Sequence, residues 1–328
     1  MKKIIALILS LSLCLSMAAC AVAEKADAPS VAIVVAGTLG DRSFYDSANE
    51  GLQQLAADLG VTPKVIECRE DGSLYEMSLV SAAESSDIVV PVGWQFVDAL
   101  QSVAPDFPET KFIWIDNSME ESPANLMNIV YAQNEGSFLT GYIAAKMSKT
   151  AKIGVVGGQN SDTINDFIVG YEAGAQYANA DITVERKYTE DFEDPSKGKE
   201  AALALYNGGC DIVFAVAGKT GEGVFEAAAE TGNYAIGVDS DQKYINPDVI
   251  ICSMVKKVGL SIYNTVADMD ANYKGGETWT ADMATGYIDV AYGEEGMTQQ
   301  VSYELKAEVE ELKAKIVAGE IEVPSALK

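Results

Sequence analysis

Short apolar, β-branched runs recur along this chain, and stretches of helical period separate them. The first series is Val31–Gly37, Lys64–Cys68, Asp87–Gly93, Lys111–Asp116 and Asn128–Ala132. The second is Lys152–Gly158, Thr183–Tyr188, Asp211–Gly218, Tyr234–Asp239 and Val249–Val255. Between the first two runs, Phe44, Ala48, Leu52, Leu55 and Leu59 fall near the helical period and predict a helix over Phe44–Leu59. Gly136–Met147, Asn165–Ala178, Lys197–Tyr206, Gly223–Thr231 and Leu260–Asn272 read the same way. Parallel strands need a crossover, usually a helix, so strict alternation predicts parallel sheets covered on both faces. Ten strands suit two such sheets better than one. The two halves also begin alike: a strand, glycine, a polar loop holding Asp41 or Asp162, a helix, then glycine. The expected fold class is therefore α/β, with two Rossmann-like doubly wound lobes. Ser302–Val317 carries Leu305, Val309, Leu312 and Ile316 at helical spacing and predicts a terminal helix packed on one lobe.

Open α/β sheets bind ligands beyond the carboxyl ends of their strands. Two facing lobes would form a cleft lined by Gly37–Phe44, Gly93–Gln95, Asp116–Ser118, Gly157–Asp162, Gly218–Gly221 and Asp239–Gln242. Trp94, directly after Pro91-Val92-Gly93, is a candidate stacking surface in that cleft, or else a packed aromatic at a helix start. Trp114 lies inside a strand and reads as core.

The N-terminus reads as an address. Met1-Lys2-Lys3 is positive, and Ile4–Leu15 is an apolar run of signal-peptide length. A membrane span needs about 20 residues, so this run is too short for one. Met17-Ala18-Ala19-Cys20 resembles a bacterial lipobox. The expectation is a signal peptide over 1–19, a lipid on Cys20 that anchors the chain to a membrane, and a tether over 20–30. An ordinary signal peptide cleaved at the same alanines is the alternative.

Composition narrows the chemistry. The 328 residues include no histidine, which excludes Ser-His-Asp and Cys-His catalysis and an HExxH zinc site. There are 23 Lys and Arg against 49 Asp and Glu, a formal charge of −26. Nucleic-acid binding runs on clustered bases, so no nucleic-acid partner is expected. The balance suits a neutral or cationic ligand. Cys68, Cys210 and Cys252 sit in or beside apolar runs and read as buried small hydrophobes. No metal-ligand spacing appears, and no cofactor is expected.

At several stretches the chain is similar to the basic membrane lipoprotein family, the nucleoside-binding lipoproteins of ABC importers. These are Asp41-Arg42-Ser43-Phe44 with Glu50-Gly51-Leu52, Lys111-Phe112-Ile113-Trp114-Ile115-Asp116, and Glu135-Gly136-Ser137-Phe138-Leu139-Thr140-Gly141-Tyr142 running on to Lys152–Gly158. Gly170-Tyr171-Glu172-Ala173-Gly174 and Ala217-Gly218-Lys219-Thr220-Gly221 follow. Most specific are Ile236-Gly237-Val238-Asp239-Ser240-Asp241-Gln242 and Ser253-Met254-Val255-Lys256. The resemblance spans nearly all of the chain after the leader, in order. It implies a type I periplasmic-binding-protein fold, a small-molecule ligand such as a nucleoside, and a partner permease and ATPase. One lobe would hold 31–133 plus about 250–280, and the other 134–249 plus about 281–328.

The resemblance also implies ligand-binding roles. Phe44 matches an aromatic that stacks on a nucleobase. Asp116 and Asp239 match strand-end carboxylates that accept ribose hydroxyls. Lys256 matches a lysine pointing into the cleft, as a ligand donor or a partner for Asp239. Asp41, Ser43, Gly218 and Asp241 fall in the matching loops; Asp41 either touches ligand or caps the following helix, and Asp241 either touches ligand or orients its loop. Val35-Ala36-Gly37 and Tyr45 depart from the family pattern, which carries polar residues ahead of the glycine and after the phenylalanine. Those changes remove polar groups from the base-reading end. A sugar or other small polar ligand, or a sensing role, is the alternative. A nucleoside hydrolase built on Asp239 and Asp241 with calcium is a weaker one, since two carboxylates fall short of about six to eight oxygens.

Overall fold

The computed structural model describes residues 28–327. The leader over 1–19, Cys20 and most of the tether lie outside the described residues. Twelve strands follow in chain order: β1 (Ser30–Val35), β2 (Thr62–Glu67), β3 (Ile88–Val92), β4 (Lys111–Ile115), β5 (Leu126–Tyr131), β6 (Lys152–Gly157), β7 (Thr183–Tyr188), β8 (Ile212–Val216), β9 (Tyr234–Asp239), β10 (Ile250–Lys256), β11 (Thr278–Ala281) and β12 (Ile288–Ala291). Ten α-helices accompany them among the described residues: α1 (Phe44–Leu59), α2 (Tyr75–Ala83), α3 (Val97–Asp106), α4 (Gln133–Met147), α5 (Asp162–Ala178), α6 (Pro195–Asn207), α7 (Glu222–Thr231), α8 (Val258–Ala267), α9 (Met269–Asn272) and α10 (Tyr303–Val317).

The strands form two six-stranded sheets, ordered β11-β5-β4-β3-β1-β2 and β12-β10-β9-β8-β6-β7. Every pairing is parallel except that of β10 with β12. The inner strands are buried along nearly their whole length, as sheets covered on both faces require. In both sheets the order reverses beside the first strand of the lobe, β1 or β6, which creates the crevice where ligands bind in open α/β sheets.

The chain passes between the sheets at 131–133, 256–258 and 281–288. The expected return to the first lobe at about 250 therefore needs correction. β10 hydrogen-bonds to β9 and belongs to the second sheet. Only the segment from α8 to β11 returns, with α8 packing on α1 and β11 pairing with β5. β11 and β12 escape the sequence pattern because they are edge strands of only four residues, too short to show a period.

Glycines set the helix spacing. A Cβ at Gly51 would lie 2.2 Å from the Gly259 carbonyl oxygen, so α1 and α8 meet backbone to backbone. The second lobe repeats the device: a Cβ at Gly174 would lie 1.8 Å from the Phe138 carbonyl oxygen, which fixes α5 against α4. The last residues then strap this pair. Asn134 donates to the carbonyls of Val323 and Pro324, both at 3.1 Å, and Asp166 accepts from Ser325 Oγ at 2.6 Å and the Ala326 N–H at 2.9 Å.

Candidate functional site

The carboxyl ends of the two sheets face one another across a cavity of about 600 Å³, part of it open to solvent. The first lobe contributes the loop after β1 with the start of α1, the turn after β3, and Asp116 after β4. The second contributes the start of α5, Phe192 and Glu193, the turn after β8, and the ends of β9 and β10.

Asp116 and Asp239 end their strands with φ of 80° and 64°, a left-handed backbone that few side chains adopt. Such strain concentrates at sites where direction matters. Here it aims carboxylates from opposite lobes at the same place. Asp239 neighbours Lys256 because Val255 is its register partner in β10. Yet the ammonium of Lys256 pairs with Asp116, across the cleft. Their side chains are 1% and 8% exposed. The rings of Tyr131, Phe44 and Phe167 surround the ammonium, with centroids at 4.8, 5.0 and 5.2 Å. Such contacts strengthen as water is excluded.

Burial holds both Asp116 and Asp239 above the usual carboxylate range, with Lys256 pulling the other way. Asp239 Oδ2 accepts from Ser43 Oγ at 2.6 Å. Its Oδ1 is buried and has no hydrogen-bond partner.

The start of α1 explains Ser43 and Asp41 together. Ser43 occupies the N-cap but makes no capping bond, because its hydroxyl is turned to Asp239. Asp41 caps instead, accepting from the N–H groups of Ser43, Tyr45 and Asp46 at 2.9–3.0 Å. Burial raises its carboxyl to about 7.

Further bonds hold the lobes together. The Glu193 carboxylate accepts from the Thr38 N–H at 2.9 Å and from Thr38 Oγ1 at 2.8 Å. Gln242 Nε2 donates to the Arg42 carbonyl at 3.1 Å. With Lys256–Asp116 and Ser43–Asp239, these make the closed form of a two-lobed cleft.

Of the residues singled out from sequence, Asp41, Phe44, Trp94, Asp116, Gly218, Asp239 and Lys256 line the cavity. Ser43 reaches it through Asp239. Asp241 does not belong: its carboxylate turns away to the N–H groups of Lys243 at 3.2 Å and Gly293 at 2.9 Å. That also separates it from Asp239 as half of a calcium pair. Trp114 is core, its Nε1 donating to the Gly93 carbonyl at 2.8 Å. Cys68, Cys210 and Cys252 are buried and unpaired.

Sequence reasoning missed Phe167, Phe192 and Glu193 as cavity residues. Phe167 sits at an apolar position of α5 and is indistinguishable from core by period. Phe192 did carry a signal: it is an aromatic flanked by acids in a polar loop, Asp191-Phe192-Glu193-Asp194.

Comparison with known proteins agrees with this architecture. The family described as ABC transporter substrate-binding protein PnrA-like matches residues 28–326. The chain is 35% identical to Basic membrane protein A of Borreliella burgdorferi, over 99% of this chain and 96% of that one. It is 38% identical to Basic membrane protein D of the same species over 73% and 71% of the two chains. Among solved structures, ABC transporter solute-binding proteins from Aeropyrum pernix superpose with a TM-score of 0.81 at 28% identity, covering 90% of this chain and 93% of theirs. The two-lobed architecture is the type I periplasmic-binding-protein fold.

Proposed function

The chain belongs to the PnrA-like family of ABC transporter substrate-binding proteins, and from that premise we propose that it captures a nucleoside outside the cytoplasm. It then delivers the nucleoside to a permease driven by an ATPase. A lipid on Cys20 would keep it at the membrane surface.

The unmatched Oδ1 of Asp239 carries this reading. A buried acceptor without a donor costs about 1–3 kcal/mol, so the closed cleft calls for a ligand hydroxyl there. A carboxylate makes a stronger bond to such a hydroxyl than a neutral acceptor does. Phe44 from one lobe and Phe167 and Phe192 from the other give the cavity flat apolar walls. Base stacking on an aromatic contributes about 1–3 kcal/mol. Asp41, Asp116, Glu193 and Asp239 face only Lys219 and Lys256 as cations in the lining. This balance disfavours a phosphate, so a free nucleoside fits better than a nucleotide. The ligand stabilises closure because it touches both lobes only in the closed form. Closure then marks the loaded protein for the permease.

Calorimetric titration tests this on the soluble domain, unfolded and refolded to strip carried ligand. The panel is adenosine, guanosine, inosine, uridine, cytidine, ribose and galactose. At least one nucleoside should bind without turnover, and Phe44→Ala and Asp239→Ala should each weaken it while the protein stays folded. Binding of a sugar alone would move the reading to a sugar receptor. Unchanged affinity in both variants would remove these residues from the site.

A further inference from the structure

A second buried acceptor in the cavity lacks a partner. Gln95 lies in the short turn Trp94–Phe96 after β3, and its Oε1 is buried without a hydrogen bond. Gly93 makes that position possible. Its φ is 125°, and a Cβ there would lie 2.5 Å from Gln95 Oε1. The carboxamide thus folds back over bare backbone into the cavity it lines.

The same point above Gly93 also lies 3.4 Å from the Cβ of Ala36. Gln95 therefore stands beside the apolar stretch Val35-Ala36-Gly37. Tyr45, which also lines the cavity, directs its hydroxyl at Glu70, 3.4 Å away. Beside this apolar stretch, the Gln95 amide offers hydrogen bonds with none yet made at Oε1. Asp239 Oδ1 is the matching orphan on the opposite lobe. Two unmet acceptors, one per lobe, describe a ligand with a donor at each end.

We propose that Gln95 reads the hydrogen-bonding edge of the ligand's base, and that the preferred ligand is a nucleoside whose base offers an N–H donor. The inference rests on the nucleoside reading above. A carboxamide places its oxygen and its amino group side by side, so it pairs with a base edge that carries donor and acceptor together. A base that only accepts leaves the Oε1 buried and unmet.

Purine riboside has the same rings and ribose as adenosine and inosine, but no N–H donor on the base. Calorimetry on the refolded domain compares these three ligands with wild type, Gln95→Leu and Gln95→Glu. Wild type should bind adenosine or inosine at least about tenfold tighter than purine riboside. Gln95→Leu should close that gap to within about threefold, chiefly by losing affinity for the donor-bearing ligands. Gln95→Glu keeps an acceptor and should retain a preference for them. The wild-type comparison needs no variant, so it stands even where a substitution fails to fold. Equal wild-type affinity for all three ribosides, or a full gap surviving in Gln95→Leu, overturns the proposal while leaving a nucleoside receptor. Binding of none of the three overturns this inference, and the nucleoside reading falls with it only if guanosine, uridine and cytidine are silent as well.

Discussion

Replacing Lys256 with methionine should disable closure more than folding. The variant keeps an unbranched apolar side chain, one atom shorter, among Phe44, Tyr131 and Phe167. It removes the one cation between two carboxylates that come from opposite lobes. Breaking a buried ion pair by deleting one partner costs about 3–5 kcal/mol, because the other charge stays buried. The pair here is 1% and 8% exposed, so that range applies without discount for solvent. Asp116 lies on the first lobe and Lys256 on the second, so an open cleft rehydrates Asp116 and most of the cost falls on the closed state. Nucleoside affinity should drop by about two to three and a half decades. The loss should also depend on pH. Burial already raises Asp116 and Asp239, and Lys256 is the largest influence that lowers them, with Ser43 assisting at Asp239. Without it their closed-state values rise further above those of the open, hydrated cleft. Closing then takes up protons, so affinity in the variant should recover as pH falls from 8 to 5 and fade as pH rises. Titration in two buffers of different ionisation enthalpy reads the proton uptake directly. Adding Asp116→Asn to Lys256→Met should restore part of the affinity, since it removes the stranded charge. A variant within about threefold of wild type at every pH, or a double variant weaker than the single, would refute the reasoning.

Three other perturbations test separate parts of the structure. Thr38→Val keeps the N–H bond to Glu193 but loses the hydroxyl bond to that half-buried carboxylate, which should weaken ligand binding by about fivefold at unchanged melting temperature. Asp41→Asn should lower thermal stability by weakening the cap of α1. Because burial raises Asp41 to about 7, folding takes up its proton below that pH, so the stability advantage of wild type over the variant should shrink from pH 5 to pH 8. In Gly174→Ala the new methyl meets the Phe138 carbonyl at 1.8 Å, and urea unfolding should report a loss of at least about 2 kcal/mol.

The architecture was legible because parallel strands buried on both faces leave continuous apolar runs such as Val31–Gly37 and Asp211–Gly218. Strand ends were legible for the same reason: a carboxylate at the end of an apolar run, as at Asp116 and Asp239, points to the crevice. What the pattern does not carry is partner choice. Lys256 stands beside Asp239 in register and pairs with Asp116 from a sheet over a hundred residues earlier. Allegiance of a strand to a lobe is equally non-local, so β10 could not be assigned from its own residues. Asp241 looked like Asp239 two residues before it. A loop N–H from Gly293, far along the chain, decides that it faces elsewhere. Gln95 fell inside an expected cleft loop, but only geometry distinguishes its stranded oxygen from a solvated amide.

The three passages between sheets also bear on how the chain acquires its structure. The first sheet receives its edge strand only at Thr278–Ala281, and α1 receives its packing partner only at Val258–Ala267. The second sheet is closed by Ile288–Ala291, and the helices beside it are strapped by residues up to Ala326. Neither lobe is therefore complete in a nascent chain that has emerged only to residue 250. Contacts this distant in sequence form slowly, because loop-closure entropy is spent before they are made. Both lobes therefore wait for late segments of the chain, which would suit the extracytoplasmic role proposed above. A stop codon before Ala281 would injure both halves at once rather than spare the first, whereas one after it would injure only the second.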